Sequence, residues 1–345
     1  MSASIRDVAA SAGVSVGTVS NVLNRPGKVA HSSVERVTRA IAELGYVRND
    51  AARQLRAGRS RSIGLVVPDI SNPFFAEVAR GAEARADEAG MTILIGNADE
   101  DGAREERYLE LFREQRVNGV LITPTTDDLG ALTRLRTTGM AVVLVDREFF
   151  GSVFCSVAVD DIEGGYLAVA HLLAAGRRRI AYLAGPLGIR QVVDRLAGAR
   201  SAVAEVPEAT LEVVELRAMS VLEGRRAGGA VLERENRLRP DAIFAANDLL
   251  AIGMVQALHI QSGPRIPDDI ALIGYDDIDF SSSTIVPLSS IRQPARLIGF
   301  TAVDLLLKEL VDPGGPHERN VRFQPQLVVR ESTIARYKSV NVFTG

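Results

Sequence analysis

The sequence predicts an all-α helix-turn-helix head, followed by a larger α/β core of two lobes built on parallel sheets. Three observations support this prediction. Short helical patterns separated by glycine fill the first 46 residues. From Ser62 onwards, apolar strand-like runs alternate with helical segments. A chain of 345 residues is also too long for one small hydrophobic core, so two or three domains are expected.

The first two helices are predicted from their caps. Ser4 and Asp7 have the spacing of a helix N-cap with an acidic residue in the first turn, and Gly13 ends that helix. Ser15 caps a second helix after a sharp turn. Two short helices joined by a glycine-containing turn form a helix-turn-helix, whose second helix reads the major groove of DNA. The residues of that helix expected to face the core are Val19, Val22 and Leu23.

A third helix is predicted to begin at a capping box formed by Ser32 and Glu35 and to end at Gly45. Residues 49–59 follow, with good helix formers but no apolar stripe. Such a short segment is not a stable helix by itself. It is therefore either a helix that forms only when something holds it or an ordinary flexible linker. The apolar face of the third helix consists of Val34, Val37, Ile41 and Leu44.

The remainder of the chain alternates between strands and helices. Continuous β-rich runs separated by helices predict parallel sheets that are covered on both faces, and so many strands favour two α/β lobes over one very wide sheet. The predicted strands are 63–67, 92–96, 119–123, 141–145, 180–184, 211–216, 242–245 and 270–274. The predicted helices between them include 75–89, 103–115, 164–175 and 249–261.

Charge divides the chain at the same place. Residues 1–61 contain ten Lys and Arg against four Asp and Glu, a net charge of +6. The rest has 30 basic and 39 acidic residues, a net charge of −9. A basic head on an acidic body is typical of a polyanion-binding module joined to a regulatory domain. The alternative is a basic segment without a partner.

Composition and motifs exclude several classes of protein. The single cysteine, Cys155, excludes an internal disulfide and fits a reducing cytoplasm. The N-terminus lacks the apolar core of a signal peptide, and no run of about 18 apolar residues predicts a membrane span. We therefore expect a cytoplasmic protein without membrane association. The four histidines are scattered and no catalytic, metal-binding or phosphate-loop motif occurs, so no catalytic residue, metal site or cofactor is predicted.

Short motifs are distributed along the whole chain. Those in the head are IRDVAASAGVSVGTVSNVLN (5–24) and A-E-L-G-Y (42–46). Those in the core are IGLVVPDISNPFF (63–75), A-G-P (184–186), R-L-A-G (195–198), A-N-D (246–248), I-G-Y-D-D (273–277) and LVVREST (327–333). Together they resemble the head and core of the lactose/galactose repressor (LacI/GalR) family, and the resemblance covers residues 4 to about 334.

The resemblance implies a homodimeric transcription factor, most simply a repressor, controlled by a small polar effector that is sugar-like. Its partner would be a double-stranded, near-palindromic DNA operator. The core would have the periplasmic-binding-protein-like fold, in which the chain crosses three times between lobes. The implied domains are a head (1–48), a hinge helix and linker (49–61), a core (62–334) and a tail (335–345). Within the core, the N-lobe would comprise 62–161 and 292–323, and the C-lobe 162–291 and 324–334. The rival interpretations are a solute-binding receptor without DNA function and an enzyme on the same fold.

The resemblance also implies which residues contact DNA. The second helix would present Val16, Gly17 and Asn21 to base edges, and the hinge would push Leu55 into a central base step from the minor groove. The commonest family pattern has arginine in place of Asn21. Asn pairs bidentately with adenine whereas Arg prefers guanine, so a different base preference is expected at that step. The other expected DNA contacts are Thr18, Ser20, Asn24, Ala51, Ala52, Arg53 and Arg56.

The effector would bind between the lobes, near the carboxyl ends of the strands. Carboxylates, an arginine and amides that converge there suit bidentate hydrogen bonding of vicinal hydroxyls. Phe74, Phe75 and Phe149 would stack on an apolar sugar face, whereas Leu216 replaces a ring-stacking aromatic of some sugar-responsive members. Asp248 is expected to cap a helix. The strongest candidates are Asp146, Arg195, Asn247 and Asp276, and the other expected cleft residues are Asp69, Asn72, Thr123, Arg147, Asp160 and Gln293.

Overall fold

A computed structural model describes residues 3–46, 60–149, 151, 153–260 and 263–334. Contacts between residues divide the chain into two compact units, Met1–Ser60 and Arg61–Gly345. Each unit has its own hydrophobic core.

Within its described residues, 3–46 and 60, the first unit contains three helices around a small aliphatic core. They are α1 (Ile5–Ala12), α2 (Val16–Asn24) and α3 (His31–Leu44), with a 3-10 turn at Pro26–Lys28 between the last two. The Ser4–Asp7 capping box and the Ser15 cap are confirmed, since each serine hydroxyl accepts a backbone N–H three residues later. The buried residues of this core are Val8, Ala9, Ala12, Val19, Val22, Val37 and Ala40.

The start predicted for the third helix is wrong. It begins at His31, and its N-cap residue Ala30 offers no side chain to the first turn. Glu35 pairs instead with His31, four residues earlier in the helix. Nδ1 of His31 lies 3.3 Å from Oε1 of Glu35. The predicted end at Gly45 is confirmed, because this residue adopts the left-handed conformation (φ 57°) that closes many helices.

The second unit contains two six-stranded sheets. The first has the order β11-β5-β4-β3-β1-β2, and all its pairs are parallel. Its strands are β1 (Ser62–Val67), β2 (Thr92–Asn97), β3 (Gly119–Ile122), β4 (Ala141–Val145), β5 (Cys155–Val159) and β11 (Asn320–Phe323). Its helices are α4 (Pro73–Glu88), α5 (Gly102–Glu114), α6 (Gly130–Thr137) and α11 (Ala295–Val311).

The second sheet has the order β12-β10-β9-β8-β6-β7. Here β12 runs antiparallel to β10, so the sheet is not wholly parallel as predicted. Its strands are β6 (Arg179–Ala184), β7 (Thr210–Glu215), β8 (Ala242–Ala245), β9 (Ala271–Asp276), β10 (Ser289–Arg292) and β12 (Gln326–Val328). Its helices are α7 (Asp161–Ala174), α8 (Arg190–Ala204), α9 (Val221–Glu233) and α10 (Asp248–Ile260).

The chain passes between the two sheets three times, after β5, after β10 and after β11. This connectivity makes two lobes, each with helices on both faces of its sheet, and confirms the predicted two-lobed fold. The eight predicted strands are all present. The strands β5, β10 and β11 were not predicted, because each has only four or five residues and serine, arginine or asparagine interrupts the apolar pattern. The remaining strand, β12, overlaps the LVVREST motif (327–333), which resembles the closing strand of the family. Among the described residues, no helix is long and apolar enough to cross a membrane.

Glycines allow three helix pairs to pack closely. A Cβ built on Gly165 of α7 would lie 2.0 Å from the carbonyl oxygen of Arg195 in α8, and one on Gly198 of α8 would lie 1.8 Å from the carbonyl oxygen of Ile162 in α7. This reciprocal contact fixes α7 against α8, and both helices begin at the cleft between the lobes. The same arrangement joins α4 to α11 through Gly81 and Gly299, and α9 to α10 through Gly224 and Gly253.

We expect Gly198→Ala to lower the free energy of unfolding of the core by about 1–3 kcal/mol, the usual cost of overpacking. Its methyl group has no space, because the obstacle is backbone rather than a flexible side chain. Gly229→Ala in α9 is the matched control, since nothing lies within 4 Å of its Cβ position. That change should raise stability by up to about 1 kcal/mol through helix propensity. Urea denaturation measures both, and equal effects would contradict the packing account.

Candidate functional site

A cavity of about 540 Å³ lies between the two lobes, at the carboxyl ends of their strands. One wall comes from the segments that follow β1, β3 and β4. The other comes from the segments after β6 and β8, the end of β9 and the first turns of α8. Parallel strands bring these ends to a single edge of each sheet, which explains why residues far apart in sequence meet here.

A buried ion pair lies beneath the cavity. Arg195, only 4% exposed, donates from Nε to Oδ1 of Asp161 at 2.7 Å and from Nη1 to the carbonyl oxygen of Ala246 at 2.6 Å. Its guanidinium lies 3.6 Å from the centroid of the Tyr275 ring, a cation–π contact. The arginine therefore has structural partners in the second lobe as well as a surface in the cavity.

Asp146 and Asp276 face the cavity from opposite lobes. Burial raises the pKa of Asp146 to about 8, and the neighbouring carboxylates of Asp161 and Asp276 add to this effect while Arg195 opposes it. Burial likewise raises the pKa of Asp276 to about 6, against the opposing charge of Arg195. Both residues have positive φ, 54° and 102° respectively. Non-glycine residues in this strained region cluster at functional sites.

Hydrogen bonds to these two carboxyl groups join the lobes. Gln191 of α8 donates from Nε2 to the carbonyl oxygen of Asp146 at 2.7 Å and to its Oδ2 at 3.1 Å. In the other direction, Asn72 of the first lobe donates from Nδ2 to Oδ2 of Asp276 at 3.3 Å. Gln293, in the segment that leaves β10, donates to Oδ1 of Asp276 at 2.8 Å. The groups that face the cavity are thus also the groups that hold the lobes together.

Several buried polar atoms around the cavity have no hydrogen-bond partner among the described residues. Buried polar groups are nearly always paired in folded proteins, so such a cluster indicates a place where a polar ligand completes the bonding. These atoms include acceptors, a donor and hydroxyls that can do both. They are Thr123 Oγ1, Thr125 Oγ1, Asp146 Oδ1, Arg147 Nε and Gln293 Oε1.

The cavity also has an apolar side. Phe74 and Phe75, at the start of α4, contact each other edge to face with centroids 5.0 Å apart. Met219 and Ile189 lie on the lining from the second lobe. Leu216 does not line the cavity but packs against the core of the second lobe. Phe149 contacts the guanidinium of Arg147, at 4.9 Å, and lies in a neighbouring cavity.

The structure places most of the predicted cleft residues together. Eleven of them line the cavity, namely Asp69, Asn72, Phe74, Phe75, Thr123, Asp146, Arg147, Arg195, Asn247, Asp276 and Gln293. Asp160 does not line it. Its Oδ1 caps α7 by accepting the N–H of Glu163 at 3.0 Å, and its Oδ2 lies 3.4 Å from Nη1 of Arg322. Asp160 lines an adjoining cavity of about 360 Å³, which shares Asp127, Asp146, Arg147 and Gln191 with the first.

The expected cap at Asp248 is also wrong. Asn247 takes that role, accepting the N–H of Leu250 at 2.9 Å. Asp248 is fully buried and holds the loop after β9 by accepting from Ile278 N–H and from the hydroxyls of Ser281 and Ser290. Aspartate is a strong N-cap and 249–261 was the predicted helix, but α10 begins one residue earlier, at Asp248, so the N-cap position belongs to Asn247.

Several residues at the cleft were not predicted from the sequence, and two of them, Asp161 and Gln191, bond directly to the polar groups of the site. Asp161 directly follows the residue that was chosen, Asp160, and only the geometry of α7 decides which of the two carboxylates meets Arg195. Gln191 lies four residues before Arg195 on α8, so the two side chains share a helix face. That spacing was the feature of the sequence from which Gln191 could have been predicted as a cleft residue.

In the head, α2 carries an exposed face suited to a DNA groove. Val16 is 43% exposed, and Gly17, Asn21 and Asn24 are exposed too. Thr18 and Ser20 are half-buried and bond locally. The Thr18 hydroxyl lies 2.9 Å from that of Ser15, and the Ser20 carbonyl oxygen accepts from Asn24 Nδ2 at 2.8 Å. The predicted hinge contacts Ala51, Ala52, Arg53, Leu55 and Arg56 lie outside the described residues.

Two family models match the chain. "Bacterial regulatory proteins, lacI family" matches residues 4–49, and "Periplasmic binding protein-like domain" matches residues 169–333. Among curated relatives, the HTH-type transcriptional repressor PurR of Aliivibrio fischeri (strain MJ11) is 35% identical, with 97% of this chain and 100% of the relative covered. The ribose operon repressor of Halalkalibacterium halodurans is also 35% identical, with 98% and 99% covered.

Solved structures agree with these matches. The Lac repressor dimer bound to operator and the anti-inducer ONPF has a TM-score of 0.83 and 29% identity, covering 97% of this chain and 100% of its own. A LacI-family regulator from Enterococcus faecium with bound ribose has a TM-score of 0.72 and 29% identity, covering 79% and 98%. The head, the two-lobed core and relatives that match over nearly their whole length lead to one conclusion. The chain belongs to the LacI family of bacterial regulatory proteins.

Proposed function

We propose that this chain is a transcriptional repressor that binds a near-palindromic operator as a homodimer, and that a small sugar-like effector in the cleft controls this binding. The observation that carries the proposal is the set of unpartnered buried polar atoms around a cavity between two lobes. A cavity of about 540 Å³ is within the usual size range for small-molecule sites.

The chemistry of the cavity favours a polyhydroxylated effector. Each sugar hydroxyl both donates and accepts, and the lining offers carboxylates that accept beside amide and guanidinium groups that donate. Phe74 and Phe75 supply an apolar surface of the kind that packs against sugar C–H groups. The bound ribose of the Enterococcus faecium neighbour and the name of the ribose operon repressor support the same class.

The cross-lobe hydrogen bonds provide the control mechanism. An effector hydroxyl that bonds to Oδ2 of Asp146 or to Oδ2 of Asp276 competes with Gln191 or with Asn72, respectively, for that oxygen. The effector therefore replaces direct lobe-to-lobe bonds with bonds through itself, which changes the preferred separation of the lobes. In this proposal, the separation of the N-lobes in the dimer decides whether residues 49–59 can fold against DNA.

The head would read DNA with few side chains. Three exposed residues of α2 are expected at base edges, Val16, Gly17 and Asn21. Of these, only Asn21 can make a bidentate base contact, and adenine is its best partner. Val16 offers apolar contact to a thymine methyl group, and Gly17 offers none. Specificity then depends on pairing two heads and on the hinge residues Leu55, Ala51 and Ala52, with Arg53 and Arg56 at phosphates.

A second copy of the chain would pack on the first lobe. The helices α4 and α11 leave a shallow apolar groove that includes Leu297, 48% exposed, and Phe300. The edge strand β2, which contacts α4, also has exposed apolar side chains, Leu94 and Ile95. Exposed apolar side chains that lie together mark interaction sites.

We propose a cytoplasmic regulator without catalytic activity, in preference to a solute-binding receptor, because the basic head has no role in the latter.

Asp276→Asn should abolish the response to effector while operator binding survives. The change keeps the size of the side chain but replaces an acceptor oxygen with a donor, at the point where cavity and lobe contacts meet. We expect a loss of effector affinity of at least tenfold, measured by calorimetry with the ligand found in a thermal-shift screen of sugars, sugar phosphates and nucleosides. Asp160→Asn is the matched control, because its carboxylate lies outside the cavity. An unchanged response in Asp276→Asn would overturn the cleft assignment.

Asn21→Ala should cost about 1–3 kcal/mol of operator binding, the value of one bidentate base contact. The loss should be confined to operators that carry the preferred base at one position in each half-site. Operators with that base replaced should bind both proteins equally. Band-shift titrations with single-base operator variants measure the effect. A uniform loss across all sequences would mean that Asn21 contacts only the DNA backbone.

Operator affinity should fall steeply with salt. Each phosphate neutralised by the basic head should add about 0.9 to the slope of log affinity against log salt concentration. Fluorescence anisotropy between low and physiological salt gives this slope. A flat plot would contradict phosphate-driven binding, whatever the effector proves to be.

A further inference from the structure

A second cluster of titratable groups lies in the first lobe, outside the cleft. Cys155 is the first residue of β5, Glu309 lies in the last turn of α11, and His317 lies in the segment between α11 and β11. Cys155 is 1% exposed, and the side chains of Glu309 and His317 are 10% and 14% exposed. We call these three side chains the Cys–Glu–His cluster.

The three potential ligand atoms converge on one point. Sγ of Cys155 lies 3.7 Å from Nε2 of His317 and 3.4 Å from Oε1 of Glu309, and Nε2 lies 3.0 Å from Oε1. A tetrahedral zinc ion with its usual bond lengths would separate sulfur from nitrogen or oxygen by about 3.6 Å, and nitrogen from oxygen by about 3.3 Å. The observed triangle is therefore already close to one face of such a tetrahedron.

We propose that the Cys–Glu–His cluster binds one divalent transition-metal ion of the zinc class, with three protein ligands and a fourth position left to solvent or a small ligand. A thiolate and an imidazole select zinc, cobalt or nickel over magnesium and calcium, which prefer oxygen ligands. Zinc accepts cysteine sulfur, histidine nitrogen and carboxylate oxygen as ligands, and zinc sites with three protein ligands keep a fourth position open.

The groups around the cluster decide how strong the site is. Nη1 of Arg319 lies 3.3 Å from Oε1 of Glu309, and its Nη2 donates to the carbonyl oxygen of Val153 at 2.5 Å. The N–H of Gly314 approaches the same Oε1 at 3.4 Å. The arginine opposes a cation, but it also orients the carboxylate, as hydrogen-bonding groups behind metal ligands do. A moderate affinity follows from these opposed effects.

Metal binding must release a proton. In the absence of an ion, burial raises the pKa of the Cys155 thiol to about 12, and the carboxylate of Glu309 adds to the shift. The ion forms its bond to sulfur as the S–H proton leaves to solvent, and Nε2 of His317 must be unprotonated.

The site would join three segments of the lobe. The ion would connect the start of β5, the end of α11 and the segment that enters β11, all at the edge of the sheet where its parallel strands begin. The core chain itself enters the sheet at that edge, at Ser62 of β1. An ion here would stiffen the edge of the lobe opposite the cleft.

Cobalt(II) titration of the untagged full-length chain tests the proposal. The chain contains one cysteine, so a sulfur-to-cobalt charge-transfer band in the near ultraviolet can come only from Cys155. We expect this band to saturate at one cobalt per chain, with visible bands of the intensity typical of tetrahedral cobalt, and zinc to displace the cobalt. Saturating zinc should also raise the melting temperature by several degrees.

Three variants assign the ligands. Cys155→Ser should lose the charge-transfer band, and His317→Gln and Glu309→Gln should each weaken cobalt binding at least tenfold. His259→Gln is the matched control, because this histidine is exposed on α10 far from the cluster in sequence. The proposal is overturned if the unmodified chain shows no charge-transfer band with excess cobalt, or if His317→Gln binds cobalt as tightly as the unmodified chain. The first of these results does not depend on any variant folding.

Discussion

The ion pair between Arg195 and Asp161 is the interaction on which the effector site depends. Asp161 is the first residue of α7 and Arg195 lies in the second turn of α8, and Gly165 and Gly198 allow the same two helices to pack closely. Arg195 takes part in both contacts, through its guanidinium and through its backbone carbonyl oxygen. Removing one partner of a buried pair typically costs about 3–5 kcal/mol, because the other charge is left without compensation.

The positive charge of Arg195 also decides the state of the other cavity groups. Asp146, Asp161 and Asp276 are all buried, and burial raises the pKa of each. The guanidinium of Arg195 opposes all three shifts, and it bonds directly to Asp161. Asp146 keeps its Oδ1 without a hydrogen-bond partner among the described residues, whereas both carboxyl oxygens of Asp276 accept from side-chain amides, those of Asn72 and Gln293. A ligand hydroxyl can therefore bond to the unpartnered oxygen of Asp146 or replace an amide at Asp276. The Arg195–Asp161 pair thus stabilises the base of the cavity, while Asp146 and Asp276 remain able to bond to a ligand.

The sequence predicted the architecture better than the contacts within the site. Long apolar strands and capped helices are local features, so β1 to β4 and the caps at Ser4 and Ser15 could be found from neighbouring residues alone. The choice between Asp160 and Asp161, or between Asn247 and Asp248, depends on the direction in which one turn of backbone points each side chain. The predicted start of α3 was wrong for a similar reason, since Glu35 pairs with His31 instead of taking part in a capping box. Short strands such as β5 and β11 are defined by their pairing with each other rather than by composition.

The Cys–Glu–His cluster shows the limit of spacing as a signal. Cys155 and Glu309 are 154 residues apart, because the chain builds most of the second lobe between them. When a crossover between lobes brings distant residues together, the resulting site has no short sequence motif. The pairing of β11 with β5 brings the parts together, and it does so at both ends of the strands. At their beginning lie Cys155 and the segment that contains His317, and at their end Arg322 meets Asp160, next to the Asp161–Arg195 pair. One pair of hydrogen-bonded strands therefore connects the proposed metal site with the base of the effector cavity.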